Sequence, residues 1–310
     1  MILSEYIAKN EDISVLIDML IRDEEGRENI YVVVSQEKTA SDILKAEGTD
    51  QTNISFEITN IVGDDPKVTS STSPLKLYEI YNIINYPGIS LAMPAFHNVD
   101  SFKKEISDEK GSDTGGSTPD NRTAPKSDTD DTKQKKNVEL NGIAVFKNQR
   151  LVGYLTPEDS KCFLFVTNGV KKGLLPVSYS NNGKIDFVLE IFKSQSKMDF
   201  KVKNGKIIIQ IKIKSRVALG EQLNDQHYGR KDLEQIEELA GKQLASRMKQ
   251  MIKKVQNEYN SDIFGFGNLI YKKDPKLWAQ LAPQWDTLFP ELEVEIIPNI
   301  RIHNTALRKL

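Results

Sequence analysis

Between Lys231 and Tyr259 apolar side chains recur three or four residues apart, at Leu233, Ile236, Ala240, Leu244, Met248, Met251, Ile252, Val255 and Tyr259, with Lys, Arg, Glu and Gln between them. That period predicts one long amphipathic helix whose apolar stripe needs a partner surface. Upstream the period falls to two. Gly173–Tyr179, Lys184–Ser194, Lys197–Val202 and Lys206–Val217 alternate apolar and polar residues, with turn residues at Asn181-Asn182-Gly183 and Asn204-Gly205. An antiparallel meander is predicted, with the long helix as the lid on its apolar face. Before it, Gly142–Phe146 and Leu151–Leu155 predict a hairpin around Lys147-Asn148-Gln149-Arg150. A helix start follows: Thr156 suits an N-cap, Pro157 the first helical position, and Glu158 and Asp159 the positive end of the dipole, through about Leu164.

The first hundred residues mix both periods. Ile13, Leu16, Ile17 and Leu20 predict a helix ended by Arg22–Gly26, with Gly26 as a candidate C-cap. Ile30–Val34 reads as a strand, and Thr39 with Asp42 opens a short helix through Leu44. Ile54–Ile61 and Leu75–Ile84 predict two more helices, separated by a break at Gly63-Asp64-Asp65-Pro66. The expected fold class is α+β or mixed α/β, in several domains. An N-terminal unit over 1–100 precedes a C-terminal domain over 141–310, with room for a subdivision near 180. Residues 101–140 are expected to link them. Within that link Ser107–Asn137 has Ala124 as its one apolar side chain, too little to offset the entropy of ordering, so a disordered insertion is predicted.

Composition narrows the function classes. Lys+Arg 42 against Asp+Glu 44, a formal net charge of −2, is not the basic excess that nucleic-acid binding needs, and no basic face is legible along the chain. The single cysteine excludes an internal disulfide, and Cys162, within Ser160-Lys161-Cys162-Phe163-Leu164-Phe165-Val166, reads as a buried thiol. No apolar run of about 18 residues predicts a membrane-spanning helix, and no basic-then-apolar signal peptide opens the sequence. His97, His227 and His303 form no metal-ligand spacing, so neither a metal site nor a cofactor is predicted. The acidic pairs Asp64/Asp65 and Asp130/Asp131 read as solvated charges, since nothing nearby would desolvate one of each pair.

The segment Gln256–Pro290 carries the most information. Ser261-Asp262 directly after the long helix can bond backbone amides in a turn, and Gly265 and Gly267 allow positive φ or close approach. Phe264 and Phe266 are then expected to pack inward. A lone Gly-Phe-Gly without a preceding strand or a phosphate-binding lysine is no phosphate cradle. Trp278 and Trp285, seven apart, fall on one face if Pro275–Gln284 is helical and Pro283 kinks or ends it.

The hairpin Asn141-Gly142-Ile143-Ala144-Val145-Phe146-Lys147 with Leu151-Val152-Gly153-Tyr154-Leu155 carries a resemblance. So, in order, do Gln256, Tyr259, Ser261 through Gly267, Pro275, Trp278, Trp285 and Phe289. Together they resemble the Ger(x)C family, the C subunit of the nutrient germinant receptors of endospore-forming bacteria. The likeness is strong from Asn141 to the C-terminus and weak over Met1–Ala95. It singles out Gly142, Phe146, Gly153, Asp262, Phe264, Gly265, Gly267, Trp278 and Trp285 as structural or partner-contacting positions, none catalytic. It implies a non-enzymatic subunit assembled with two integral-membrane subunits and held by an N-terminal lipid at the outer face of the spore inner membrane. Such proteins are lipoproteins, so an anchor and a first strand or two are expected to precede Met1. The rival reading is a secreted or surface-exposed hydrolase or small-ligand-binding protein with scattered functional residues, which a pocket of convergent titratable groups would favour.

Overall fold

The computed structural model describes residues 1–23, 28–46, 53–100, 136–178, 186–222 and 230–305. Alternating short strands and capped helices open the chain: β1 (Ile2–Leu3), α1 (Glu5–Asn10), α2 (Ile13–Arg22), β2 (Val33–Ser35), α3 (Ala40–Leu44), α4 (Ile54–Val68), α5 (Leu77–Asn85) and β3 (Ala92–Asp100). Then come β4 (Lys136–Lys147), β5 (Arg150–Leu155), α6 (Pro157–Val166), β6 (Gly173–Val177), β7 (Phe187–Lys203), β8 (Lys206–Gln222) and α7 (Arg230–Lys254). A π-helical turn (Val255–Tyr259) extends α7, and α8 (Phe266–Lys273), α9 (Pro275–Leu281), a 3-10 turn (Ala282–Gln284), α10 (Trp285–Glu291) and β9 (Glu293–Thr305) complete the order.

The strands form two sheets, a five-stranded one in the order β1-β2-β3-β4-β5 and a four-stranded one in the order β6-β7-β8-β9. The hairpin β4–β5 turns through Asn148 and Gln149 at φ 48° and 60°, the paired left-handed conformation that matches strand twist. Asn204 and Gly205, at φ 52° and 74°, turn β7 into β8 in the same way. The long helix lies where its stripe demands: Ile236, Ala240, Leu244, Met248, Met251, Ile252 and Val255 are buried in one core with Ile209, Ile211, Ile213 and Val217 of β8. A second core joins α1, α2 and α5 to Met93, Ala95, Ala144 and Phe146. A third, smaller one lies under α3 and α4 around Ile43, Ile58, Val62 and Phe96. Cys162 is buried in the first core, where burial pushes its thiol up to about 12.

Several expectations are corrected. α4 runs unbroken through Gly63–Pro66, because the proline stands in the final turn, where the helix loses one backbone donor and ends two residues later. Asp65 accepts from the backbone N–H groups of Ser71 (2.6 Å) and Thr72 (2.8 Å), so it builds the exit turn instead of standing as a free surface charge. The expected strands Lys184–Ser194 and Lys197–Val202 are one strand, β7, because its ladder with β8 runs unbroken through Gln195 and Ser196, with a bulge between Ile191 and Lys193. β9 was not foreseen, and it pairs in parallel with β8, so the second sheet is mixed and not a pure meander.

β3 was not foreseen either. It pairs with β4 from Asp100↔Lys136 and Asn98↔Val138 through Phe96↔Leu140, so Lys136–Leu140, expected to be linker, is ladder. Composition counts side chains, whereas backbone pairing and the buried Val138 and Phe96 order these residues. The rest of the expected insertion, with Asp130 and Asp131, lies outside the described residues. So do His227, Gly26 and the turn at Asn181–Gly183.

Candidate functional site

At the end of α7 the chain reverses at Asn260, which takes the left-handed conformation at φ 44°. Next, the Ser261 hydroxyl donates to the Phe146 carbonyl of β4. The carboxylate of Asp262 follows, buried and turned forward onto the start of α8. Its Oδ1 accepts from Gly265 N–H at 2.9 Å and Phe266 N–H at 3.0 Å, and its Oδ2 accepts from Gly267 N–H at 2.8 Å. These donors are ones a helix start leaves without partners, and a negative charge there also complements the dipole. Burial pushes the Asp262 carboxyl up to about 6, while the amides of Gly267, Phe266 and Gly265 and the Trp285 indole pull it back. The indole Nε1 faces the carboxylate but lies outside hydrogen-bond geometry.

The loop clasps a second segment. Ser90 N–H donates to the Asp262 carbonyl at 2.8 Å, Asn268 N–H to the Gly88 carbonyl at 2.7 Å, and the Asn268 side-chain amide to the Pro87 carbonyl at 2.9 Å. Gly88 and Gly267 meet backbone to backbone: a Cβ on Gly267 would lie 2.9 Å from Gly88 Cα and 2.7 Å from the Trp278 ring. Around this contact Phe264 stacks on Phe266 at 5.0 Å between centroids, and Trp278 meets Trp285 edge-on at 5.1 Å. α9 and α10 set the two indoles there, with the 3-10 turn containing Pro283 as the bend between them.

The structure therefore brings Asp262, Phe264, Gly265, Gly267, Trp278 and Trp285 together. Phe146 joins them through the Ser261 bond. Gly153 belongs to the supporting contact, because a Cβ there would lie 2.4 Å from the Tyr259 ring, whose hydroxyl donates to the Tyr154 carbonyl at 2.8 Å. Gly142 serves a separate need. At φ 86° it opens the hairpin where a Cβ would fall 1.9 Å from the Leu155 carbonyl oxygen. Sequence reading passed over Pro87-Gly88, although that dipeptide is a turn signal. Gln256, buried in the π-helical turn, supplies another tie, donating to the carbonyls of Phe289 (2.8 Å) and Leu292 (3.1 Å). Gln256→Leu is expected to lower stability by about 1–3 kcal/mol, because the Leu292 carbonyl loses this donor and the Phe289 carbonyl keeps only the longer bond from Leu292 N–H at 3.3 Å, and urea unfolding checks it.

Beside the loop lies a cavity of about 380 Å³, walled by Leu75, Ile83, Ile89, Phe163, Met198 and Phe264, with Lys272 its one titratable lining residue. Among the described residues no three His, Cys, Asp or Glu side chains converge as metal ligands. His97 and His303 stand on β3 and β9, in different sheets.

Residues 141–306 match the family described as spore germination B3/GerAC like, C-terminal, and residues 1–98 match the one described as spore germination protein N-terminal domain. The chain belongs to this family of spore germination proteins. It is 22% identical to spore germination protein B3 of Bacillus subtilis (strain 168) over 309 residues, 98% of this chain and 72% of that protein. To spore germination protein KC of the same strain it is 22% identical over 314 residues, 99% of this chain and 71% of that one. The crystal structure of the GerBC protein shares the fold, with a TM-score of 0.65 at 20% identity over 98% of this chain and 78% of that one. The Asp262 loop lies in the C-terminal matched region and the Pro87–Ser90 segment in the N-terminal one, so the clasp joins the family's two regions.

Proposed function

We propose that this germination protein is a non-catalytic subunit of a nutrient germinant receptor. It acts by protein–protein assembly with two integral-membrane subunits at the outer face of the spore inner membrane. The observation that carries the reading is the clasp: the motif residues around Asp262 are spent on joining the family's two matched regions. Asp262 has its oxygens occupied by backbone donors, and Cys162 is held as a neutral thiol. The larger junction cavity is mostly apolar with Lys272 its one titratable lining residue, and in the smaller one beside it Lys147 pairs with Asp286 at 3.5 Å while Asp262 is held by backbone amides, which favours a scaffold over a hydrolase. Among the described residues no helix is long and apolar enough to cross a membrane. Attachment is assigned to an N-terminal lipid, which by itself holds a protein only marginally and works with a second contact. No cofactor enters this reading.

Deleting the gene in its spore-forming host is expected to abolish germination in response to one set of nutrients and to leave the response to unrelated stimuli intact. A lipidated version should restore it and the chain from Met1 alone should not. Hydrolysis of a peptide, glycan or ester by the purified chain, abolished by one polar point mutation, would instead establish the rival enzymatic reading.

A further inference from the structure

The solvent face of the second sheet carries a ladder of like charges. Register sets Lys193 opposite Arg216, and Arg216 opposite Arg301; the next row holds Gln195, Lys214 and Asn299, and the one after it Lys197, Lys212 and Ile297. These side chains are exposed, while the alternate positions Ile211, Ile213 and Val217 are buried in the core beneath α7. Like charges directly opposite destabilise a sheet, and two of these three rows set cation against cation, which a nearby anion would offset. The protein supplies little of it: among the described residues Lys193, Lys212, Lys214 and Arg216 make no ion pair, and Arg301 alone is held, by Glu237 at 2.7 Å. The nearest carboxylates bracket the patch. Glu190 lies in the row beyond it, and at the other side Asp199 and Glu295 are taken by Lys273 and Lys201. A shallow groove of about 290 Å³ crosses the rows, lined by Lys193, Gln195, Lys214, Arg216, Arg301 and His303 among others, with no carboxylate in it.

Apolar side chains rise singly from the same face. Leu174 is 54% exposed, Phe192 48% and Ile297 44%, with Phe192 thrown outward by the bulge and flanked by Lys171, Lys172 and Lys193. A protein partner is usually met by a clustered apolar centre with a polar rim, whereas scattered apolar tips among cations suit a flat, fluid, anionic surface.

We propose that this face docks directly on an anionic lipid bilayer, its lysines and arginines reaching headgroup phosphates while Phe192 and Leu174 enter the interfacial zone. The contact is independent of any covalent anchor, and its failure would leave the receptor-subunit reading standing. The test is co-sedimentation of the purified chain with vesicles of phosphatidylcholine alone or with about one-third phosphatidylglycerol. Binding is expected only to the anionic vesicles, reduced by high salt, and weakened on the order of tenfold or more by the triple variant Lys193→Gln, Lys214→Gln, Arg216→Gln. Because that variant relieves repulsion, its melting temperature should hold or rise, which separates lost docking from lost folding. In a second variant, Phe192→Trp, indole emission should shift to the blue with anionic vesicles and stay unchanged with neutral ones. Equal binding to both vesicle types, no binding to either, or an unaffected triple variant would overturn the assignment. Capture of a polyglutamate peptide at this face without vesicle binding would also overturn it and transfer the patch to an acidic protein.

Discussion

Asp262→Ala is expected to lower the unfolding free energy by about 2–4 kcal/mol at pH 7, because the amides of Gly265, Phe266 and Gly267 lose their acceptor inside a site water reaches poorly. Asp262→Asn should fall between. Its carbonyl oxygen can still accept from Gly265 and Phe266, but its NH2 group would confront the Gly267 N–H, donor against donor. The loss also depends on pH. The folded carboxyl titrates at about 6 against 3.8 when unperturbed, so between these values the native state binds the proton more tightly than the unfolded chain. The stability tied to that proton is complete below about 4 and is lost as the pH rises through 6, a swing on the order of 3 kcal/mol. The gap between the native chain and Asp262→Ala should therefore widen as the pH falls from 6 to 4. Denaturant melts of both proteins at several pH values measure it; a gap that narrows on acidification would mean that the carboxylate, not the acid, is the preferred native form.

Gly267→Val is expected to cost about 3–5 kcal/mol or to prevent folding, since the added carbons meet the Trp278 ring at 2.7 Å and the Gly88 backbone at 2.9 Å. The ring is itself locked against Trp285, and a backbone atom cannot rotate away. Gly265→Val should cost less. Its strain comes from φ 74°, and its closest neighbour is the flexible Ile89 side chain at 3.0 Å. Gly205→Ala in the β7–β8 turn isolates the backbone contribution alone: at φ 74° with nothing within 4 Å, it should cost only about 1–2 kcal/mol. Thermal melts of the three variants give the order, and an equal loss at Gly267 and Gly205 would remove close approach as the reason for the motif. A Gly267 variant that kept full stability but lost germination would make the motif a partner surface.

Much of the architecture was legible because it is written in short-range chemistry. The α7 stripe, the turn at Asn204-Gly205, the Thr156-Pro157 helix start and the inward Phe264 and Phe266 all follow from side-chain period, capping oxygens and positive φ, none of which needs a distant residue. The role of Asp262 as acceptor for the amides after it was legible for the same reason.

What the sequence by itself determined is thus the locally patterned elements, the turn chemistry of the motif and, by resemblance, the family. Tertiary structure alone decided which segments those elements meet. β9 is recruited by the open edge of β8 although Pro298 and several polar side chains obscure its strand pattern. Lys136–Leu140 is ordered by β3, some forty positions earlier. The partner of the glycine motif, Gly88, stands far upstream, and nothing local to either glycine announces a backbone contact between them. The basic sheet face has the same origin, since its cations are spread along β7, β8 and β9 in a chain whose net charge is −2. Period fixes which way a side chain points within its own strand, whereas register between strands, set only when the sheet closes, decides which charges stand opposite one another.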